Sequence, residues 1–281
     1  MGRRIIVAGF CCVFCLLLVT ASKSMAKEMG KLYVIGIGPS GPDLTAPRGL
    51  ELLQKADKVL CDPNLKEEFD QYIREDNYAF NPWRGGVHDF ELQKNDHQKW
   101  LEIVKKRRKE VKTLAMKHIK KGQTVVVLDY GDPCVLGPAL DLLLKDFPRR
   151  HLEVIPGMSA FNAASAALEQ PMLGHQGLVV LTSPFTILKE KKNQNEPNLL
   201  EDLSRHKPTL VLYVALQSMD KLVKEMMKYY PSDFPAAVVY HAGFPDKEKV
   251  VRGRLGNINK KIKKYKEDWL GLVIFGKCLS R

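Results

Sequence analysis

The chain has 281 residues, of which 44 are Lys or Arg and 32 are Asp or Glu, so its formal net charge is +12. Hydrophobic residues make up 45% and charged residues 27%, a balance that excludes a disordered or fibrous chain. A single segment of the sequence is apolar over enough residues to be considered for spanning a bilayer, which excludes a helical membrane bundle.

That apolar segment is the N-terminus, which has the three parts of a secretory signal peptide. Arginines at 3 and 4 precede an apolar run over 5–21, and residues 24–26 (Ser-Met-Ala) offer a small-x-small cleavage site. We therefore predict a signal peptide over residues 1–26 and an exported, periplasmic protein. Two alternatives stay open: a membrane-anchored protein that keeps its leader, and a cytoplasmic protein whose translation begins at Met25.

Cleavage after Ala26 would remove three basic residues and no acidic one, which lowers the net charge from +12 to +9. The cysteines that remain are Cys61, Cys134 and Cys278, which are odd in number and far apart. The sequence therefore predicts no disulfide framework and no CxxC site. The histidines show neither H-x-x-x-H nor H-E-x-x-H spacing, so we predict no metal site.

Strands, loops and helices alternate through the first half of the mature chain. Thr45 is the predicted N-cap of the first helix, and residues 64–121 are predicted to be mostly helical. The predicted strands cover residues 32–35, 58–61, 124–129 and 152–155. This alternation indicates a mostly parallel sheet with helices on its faces.

The second half continues the alternation with an amphipathic helix over residues 219–228. Its predicted strands cover residues 178–182, 209–214, 236–240 and 270–275. We assign the fold class α/β with two α/β lobes, an N-terminal lobe over 31–157 and a C-terminal lobe over 158–281.

The loop after the first strand runs Gly36-Ile-Gly38-Pro39-Ser-Gly41 and has G-x-G-x-x-G spacing. Two features weaken a dinucleotide-binding interpretation: Pro39 and Pro42 remove backbone N–H groups, and no acidic residue closes the second strand in the usual way. No Gly-Lys-Ser/Thr follows, so the loop is not a P-loop either.

Two more loops follow strand ends. One carries Gly131-Asp132-Pro133 with Gly137, and the other runs from Pro156 to Ser159 and opens a helix. Ligands bind outside the carboxyl ends of strands in open α/β sheets. A serine hydrolase would need a small residue at the fifth position of a nucleophile elbow, and Phe161 stands there instead.

Together the three loops resemble those of the tetrapyrrole (corrin/porphyrin) methylase family, which transfers methyl groups from S-adenosylmethionine. The resemblance covers residues 31 to about 276. The stretches that carry it are LYVIGIGPSGPDLTAPRGL, ADKVLCD, YGDPCVLG and VIPGMSA, followed by TLVLYV, PAAVVY and VVRGRLGNI.

This resemblance implies that the methyl donor, S-adenosylmethionine, lies in the cleft between the lobes. The donor-binding residues that it implies are Pro39, Gly131, Asp132, Val135, Ser159, Ala160, Val214, Ala237 and Gly243. It also implies that Asp62, at the end of the second strand, faces the acceptor as the catalytic carboxylate. The alternative role of Asp62 is to cap the turn before Pro63.

The chain departs from the family pattern in its second lobe. Val214 stands where the family often has Met beside the adenine. The stretch from Tyr240 to Phe244 replaces an acidic residue followed by Gly-Thr, and Glu248 replaces Gln. The implied donor site is therefore altered on its adenine side.

The leading hypothesis is an S-adenosylmethionine-dependent C-methyltransferase that acts on a tetrapyrrole of the uroporphyrinogen or precorrin kind. The alternatives are an exported, non-catalytic tetrapyrrole- or nucleotide-binding protein and a methylase of a non-tetrapyrrole acceptor. A basic cleft rim would steer a carboxylate-rich acceptor. The basic runs at 105–109, 189–192 and 260–264 lack interleaved aromatic residues, so we predict solvated surface and no nucleic-acid partner. We also predict a homodimer, with membrane contact only through an uncleaved leader.

Overall fold

The computed structural model describes residues 29–84, 92, 95–137, 140, 143–173, 177–189 and 198–280. Two five-stranded sheets organise them, one in each half of the chain. The predicted signal peptide lies outside these residues. No helix in the described part of the chain is both long enough and apolar enough to cross a membrane.

The first sheet is entirely parallel. Its strands are β1 (Leu32–Gly36), β2 (Lys58–Leu60), β3 (Tyr78–Phe80), β4 (Val125–Asp129) and β5 (Leu152–Ile155). They lie in the order β3-β2-β4-β1-β5, so β1 pairs with β4 on one side and β5 on the other. Because parallel strands end at the same edge, the loops that follow all five strands open at one crevice.

Helices cover both faces of this sheet, which is why its central strands are continuous apolar runs. The helices are α1 (Pro47–Gln54), α2 (Pro63–Glu68), α3 (His97–Ile119) and the short α4 (Pro133–Leu136). Leu53 of α1 and Leu65 of α2 pack on one face, and Val111 and Ile119 of α3 pack on the other.

The second sheet is mixed. Its strands are β6 (Val179–Thr182), β7 (Thr209–Leu212), β8 (Pro235–Tyr240), β9 (Lys249–Arg254) and β10 (Gly271–Phe275). They lie in the order β6-β7-β10-β8-β9, in which β6 and β7 are parallel and the other pairs are antiparallel. This half therefore differs in topology from the parallel first sheet.

The remaining elements connect these strands. In the second half the helices are α5 (Ala160–Ala167), α6 (Pro184–Ile187), α7 (Leu199–His206), α8 (Met219–Met226) and α9 (Ile258–Ile262). Single turns of 3₁₀-helix cover Pro42–Leu44, Arg149–His151, Leu216–Ser218 and Lys277–Ser280.

The α/β class with two sheets is confirmed. Residues 64–121, predicted to be mostly helical, contain most of α2 and all of α3, and they also contain β3, which pairs with β2. One local prediction is wrong. Thr45 is not the N-cap of α1, which is Ala46. The Thr45 hydroxyl instead donates to the Ile37 carbonyl at 2.7 Å and stays buried under the first loop. The lobe boundary at residue 157 stays a prediction.

Candidate functional site

Three loops meet at the carboxyl edge of the first sheet through Gly36, Gly131 and Gly157. A Cβ on Gly157 would lie 2.2 Å from the Gly131 oxygen and 2.7 Å from the Gly36 carbonyl carbon. A Cβ on Gly36 would lie 2.6 Å from the Gly157 nitrogen. These distances leave no room for a side chain, so backbone packs directly on backbone where the loops meet.

The first and second loops are joined by a pair of backbone hydrogen bonds between Gly38 and Gly131. The Gly131 N–H donates to the Gly38 oxygen at 2.7 Å, and the Gly38 N–H donates to the Gly131 oxygen at 3.2 Å. Both glycines have positive φ, +83° and +65°. A Cβ on Gly131 would meet only the Ala160 nitrogen within 4 Å, at 3.9 Å, so the Cα of Gly131 faces open space.

Two predicted site residues cap the short helices that begin at this edge. Asp132 Oδ1 accepts from the Cys134 N–H at 2.9 Å at the start of α4, and Ser159 Oγ accepts from the Phe161 N–H at 3.2 Å at the start of α5. Burial raises the pKa of the Cys134 thiol, and the charge of Asp132 and a hydrogen bond from the thiol to its carboxylate raise it further. Val135 is 40% exposed on α4.

The third loop is tied to the second sheet by a hydrogen bond between two side chains. Ser159 Oγ and Tyr213 Oη lie 2.7 Å apart, and Tyr213 directly follows β7. Burial raises the pKa of Tyr213, while the Ser159 hydroxyl and the Phe161 backbone lower it in part. The start of α5, with Ala160, therefore lies beside the chain that leaves β7.

Val214 and His241, at the ends of β7 and β8, have strained backbones. Their φ angles are +49° and +47°, in the left-handed region that a β-branched residue such as Val rarely adopts. Such strain costs of order 1–3 kcal/mol and concentrates at functional sites. His241 also pairs with Glu267, with 3.1 Å between Nε2 and Oε2.

Gly243 brings the second lobe onto the first loop. It has φ +89°, and a Cβ there would lie 2.9 Å from Leu44 Cδ1 and 3.1 Å from Pro39 Cγ. Glu248 accepts from the Gly243 N–H at 2.8 Å, which closes the turn between β8 and β9. Two of the predicted donor-binding residues, Pro39 and Gly243, are thus brought together across the lobes.

Ala237 is not brought to the cleft. It lies inside β8, opposite Ile274 of β10, and has no exposed surface. Its neighbours include Ala163 and Ala164 of α5 in one apolar cluster. Ala237 therefore packs beneath α5 and does not line the cleft, because it lies three residues before the end of β8.

Both carboxylate oxygens of Asp62 have protein partners. Oδ1 accepts from the Asn64 N–H at 3.0 Å as the N-cap of α2, and Oδ2 accepts from Asn81 Nδ2 at 3.0 Å. Asp62 therefore caps α2, at the turn before Pro63. Asp62 is also close enough to Tyr130, which follows the neighbouring β4, to contribute to the raised pKa of that phenol, about 12, whose largest cause is burial.

Asp129, the last residue of β4, was missed by the sequence reasoning. It is 8% exposed, and its Oδ2 atom is buried without a hydrogen-bond partner among the described residues. Burial raises its pKa to about 7, and the Tyr130 backbone N–H lowers it only in part. The signal in the sequence was an acidic residue closing the apolar run Val125–Leu128, where a fully buried strand has no place for a charge.

The basic run at 105–109 lies on α3, away from the crevice. Lys105, Lys106 and Lys109 are exposed, as predicted. Arg107 and Arg108 are partly buried and pair with Glu110 and Asp146. The run at 189–192 lies, after its first residue, outside the described residues.

Within the described ranges, no group of three or more His, Cys, Asp or Glu residues is placed to hold a metal ion. The absence of a metal cofactor stays a prediction.

Fold and cleft together define a two-lobed α/β protein that can hold a small ligand against backbone at the ends of its strands. The sequence model of the family described as Tetrapyrrole (Corrin/Porphyrin) Methylases matches residues 31–259. The chain belongs to this family, which confirms the resemblance of its loops.

Similar proteins cover nearly the same part of the chain. The precorrin-4 C(11)-methyltransferase of Pseudomonas aeruginosa is 30% identical over 259 residues, which is 89% of this chain and 90% of that protein. The cobalt-precorrin-4 C(11)-methyltransferase of Methanocaldococcus jannaschii is 28% identical over 256 residues, 89% of this chain and 88% of that protein.

Solved structures show the same fold. A cobalt precorrin-4 methyltransferase, described as a cobalamin biosynthetic enzyme, has a TM-score of 0.66 and 26% identity, over 89% of this chain and 95% of that one. The uroporphyrin-III C-methyltransferase of Thermus thermophilus, complexed with S-adenyl homocysteine, has a TM-score of 0.61 and 23% identity, over 89% and 99%.

Proposed function

We propose that this chain is an S-adenosylmethionine-dependent C-methyltransferase whose acceptor is a tetrapyrrole of the uroporphyrinogen or precorrin kind. The observation that carries the proposal is the convergence of Gly36, Gly131 and Gly157 at the strand ends of a chain that belongs to the tetrapyrrole methylases. The names of its relatives, C-methyltransferases of precorrin-4 and uroporphyrinogen-III, support the class of acceptor.

The residues at the cleft fit the methyl donor. The Cα of Gly131 faces open space, so a ligand can approach it closely. The Asp132 carboxylate, at the start of α4, can also accept from an ammonium group such as that of the donor's amino-acid end. Val214 and Gly243 border the cleft from the second lobe, where they would contact the adenine.

When bound, the donor supplies an electrophilic methyl group on a sulfonium. The protein has to align the acceptor carbon with that methyl group and exclude water, and a carboxylate can take the proton that the acceptor loses. We propose Asp62 for the acceptor side, because it follows β2 as the N-cap of α2 and lies near Tyr130 at the same edge as the glycine loops.

The variant Asp62→Asn tests this role. If Asp62 acts on the acceptor, the amide should keep the cap of α2, leave donor affinity unchanged and lower turnover by tenfold or more, a roughly 1.4 kcal/mol higher barrier. Titration calorimetry and steady-state rates measure the two effects. Normal turnover, or a loss of activity matched by a loss of thermal stability, would leave Asp62 with the capping role alone.

The proposed activity is tested with the full chain, methyl-labelled S-adenosylmethionine and uroporphyrinogen III or a precorrin. Label should appear in the tetrapyrrole fraction, and S-adenosylhomocysteine should inhibit its transfer. Donor binding with no transfer to any acceptor would favour the non-catalytic alternative. Label in protein or RNA fractions would favour a methylase of another acceptor. A homodimer is tested on the same sample by light scattering.

We also infer export, from the charged, apolar and small-residue parts of the N-terminal 26 residues. Cell fractionation should find the protein outside the cytoplasm, with an N-terminus near Lys27. A full-length cytoplasmic product, or one that begins at Met25, would contradict this inference. Export would separate the protein from the cytoplasmic donor supply, which makes this measurement important for the activity as well.

A further inference from the structure

Asp129 lies directly beneath the point where the three glycine loops meet. It pairs in register with Gly36 across the β1–β4 ladder, and residues in register on parallel strands project to the same face of the sheet. On that face, a Cβ at Gly36 would meet the Gly157 nitrogen and Pro133 Cδ, each at 2.6 Å. The carboxyl of Asp129 therefore stands on the side of the sheet that the second and third loops cover.

This carboxyl is incompletely satisfied by the protein. Its Oδ2 atom is buried and accepts no hydrogen bond from any residue that the structure describes. A buried polar atom without a partner costs about 1–3 kcal/mol, so a fold keeps one where something else supplies the partner. A carboxyl can be satisfied by a ligand that brings a positive charge or an N–H donor.

No described neighbour supplies that charge. The charged and titratable groups on the elements packed around this face include Arg84, Arg107, Glu110, Asp132, Cys134 and Tyr213. Arg107 pairs with Glu110, and Arg84 lies over the Phe80 ring. Asp132 caps α4, and Tyr213 bonds Ser159. The pKa of Asp129 accordingly responds to burial and to the Tyr130 backbone alone, and lies at about 7.

We propose that Asp129 recognises the positive charge of the methyl donor: its carboxyl is ionised when S-adenosylmethionine lies in the cleft and protonated when S-adenosylhomocysteine lies there. The inference rests on the proposed function. The two ligands differ by a sulfonium against a neutral thioether, so a nearby carboxylate stabilises only the first by charge. Asp129 thereby helps the cleft to prefer the donor over the product.

The coupling between ligand binding and proton release allows the role of Asp129 to be measured without any acceptor. A group that is protonated in the free protein and ionised in the complex releases a proton when the ligand binds. At pH 6, one unit below the pKa of about 7, the free carboxyl of Asp129 is mostly protonated. Binding of S-adenosylmethionine should then release roughly 0.9 proton, and its affinity should fall roughly thirtyfold between pH 8 and pH 5.5.

Titration calorimetry of the full chain at pH 6, in two buffers of different ionisation enthalpy, counts the protons released. We expect release with S-adenosylmethionine and none with S-adenosylhomocysteine. Asp129→Asn should abolish the release and bring the two affinities together, while Asp70→Asn, at an exposed position far along the chain, should leave both unchanged.

The outcomes separate this inference from the proposed function. If S-adenosylmethionine does not bind at any pH, the proposed function fails. If it binds without proton release, or releases the same number of protons from Asp129→Asn, the role of Asp129 is overturned and the proposed function stands. The titration of the unaltered protein can overturn the role of Asp129 even if the Asn variant folds poorly, because the role requires proton release with S-adenosylmethionine.

Discussion

The two lobes shape their strand ends in opposite ways. In the first lobe, Gly36, Gly131 and Gly157 remove side chains so that three loops can touch backbone to backbone. In the second lobe, Val214 and His241 keep their side chains and hold a left-handed backbone that neither prefers. On the first-lobe side of the cleft the loops approach each other closely. On the second-lobe side specific side chains are held in place by a strained backbone.

The first lobe should be the less tolerant of the two. Gly157→Ala puts a methyl group 2.2 Å from the Gly131 oxygen, so the loops must separate. We expect a loss of about 3 kcal/mol in the free energy of unfolding and the loss of donor binding. Urea unfolding and calorimetry measure these effects.

Gly177→Ala is the matched control. Gly177 has φ +64°, and a Cβ there would meet nothing within 4 Å. That substitution should cost only about 1 kcal/mol and spare donor binding. Because Gly157 itself does not have a positive φ, equal losses from the two variants would contradict the explanation by close approach of the loops.

A substitution that relieves backbone strain in the second lobe should stabilise the protein, whereas the substitutions in the first lobe destabilise it. Asn tolerates the left-handed region better than Val, so Val214→Asn should raise the free energy of unfolding by about 1 kcal/mol. Donor affinity should fall at the same time, because the apolar contact is lost. Lys207→Asn is the control, since Lys207 has φ +48° at the end of α7 and lies outside the cleft residues. A more stable Val214→Asn with unchanged affinity would remove Val214 from the donor site.

The hydrogen bond between Ser159 and Tyr213, which joins the two lobes, should contribute less to the free energy of unfolding. Tyr213→Phe removes the hydrogen bond to Ser159 and should cost about 0.5–1.5 kcal/mol. A double-mutant cycle with Ser159→Ala isolates the coupling from the capping of α5. Additive losses would mean that the two hydroxyls do not interact in solution.

The smallest expected effect on stability comes from Glu267, the carboxylate that pairs with His241. Burial alone would raise the pKa of Glu267, but N–H groups of Trp269 and Leu270, together with His241, hold it below its usual range. A lowered folded-state pKa contributes stability above the unfolded value, about 4.3, which is lost as the pH falls through the folded value. Glu267→Gln should therefore lower the melting temperature slightly at pH 7 and match the unaltered protein near pH 3. An equal deficit at both pH values would contradict this.

Much of the first lobe was predictable, because its buried parallel strands are continuous apolar runs that end at glycines. β3 was not, since its three residues are all half-buried and follow a polar turn. The glycine loops were recognisable for the same reason that they are constrained: no other residue fits there. The Ser159–Tyr213 bond could not be found in this way, because it depends on which strands become neighbours and not on local spacing. Asp129 had a local signal as the acidic residue that closes an apolar run, but its place beside Gly36 depends on the order of the strands.

Gly243 sets the distance between the two lobes where they meet at the first loop. Its hydrogen atom is the spacer between the turn of the second lobe and the proline of the first loop, with Leu44 and Pro39 within 3.1 Å of where a methyl group would stand. The separation of the lobes at this contact is thus set by the thickness of the main chain. A larger residue would act as a wedge, and the width of the opening that an acceptor enters would change by the size of a single side chain.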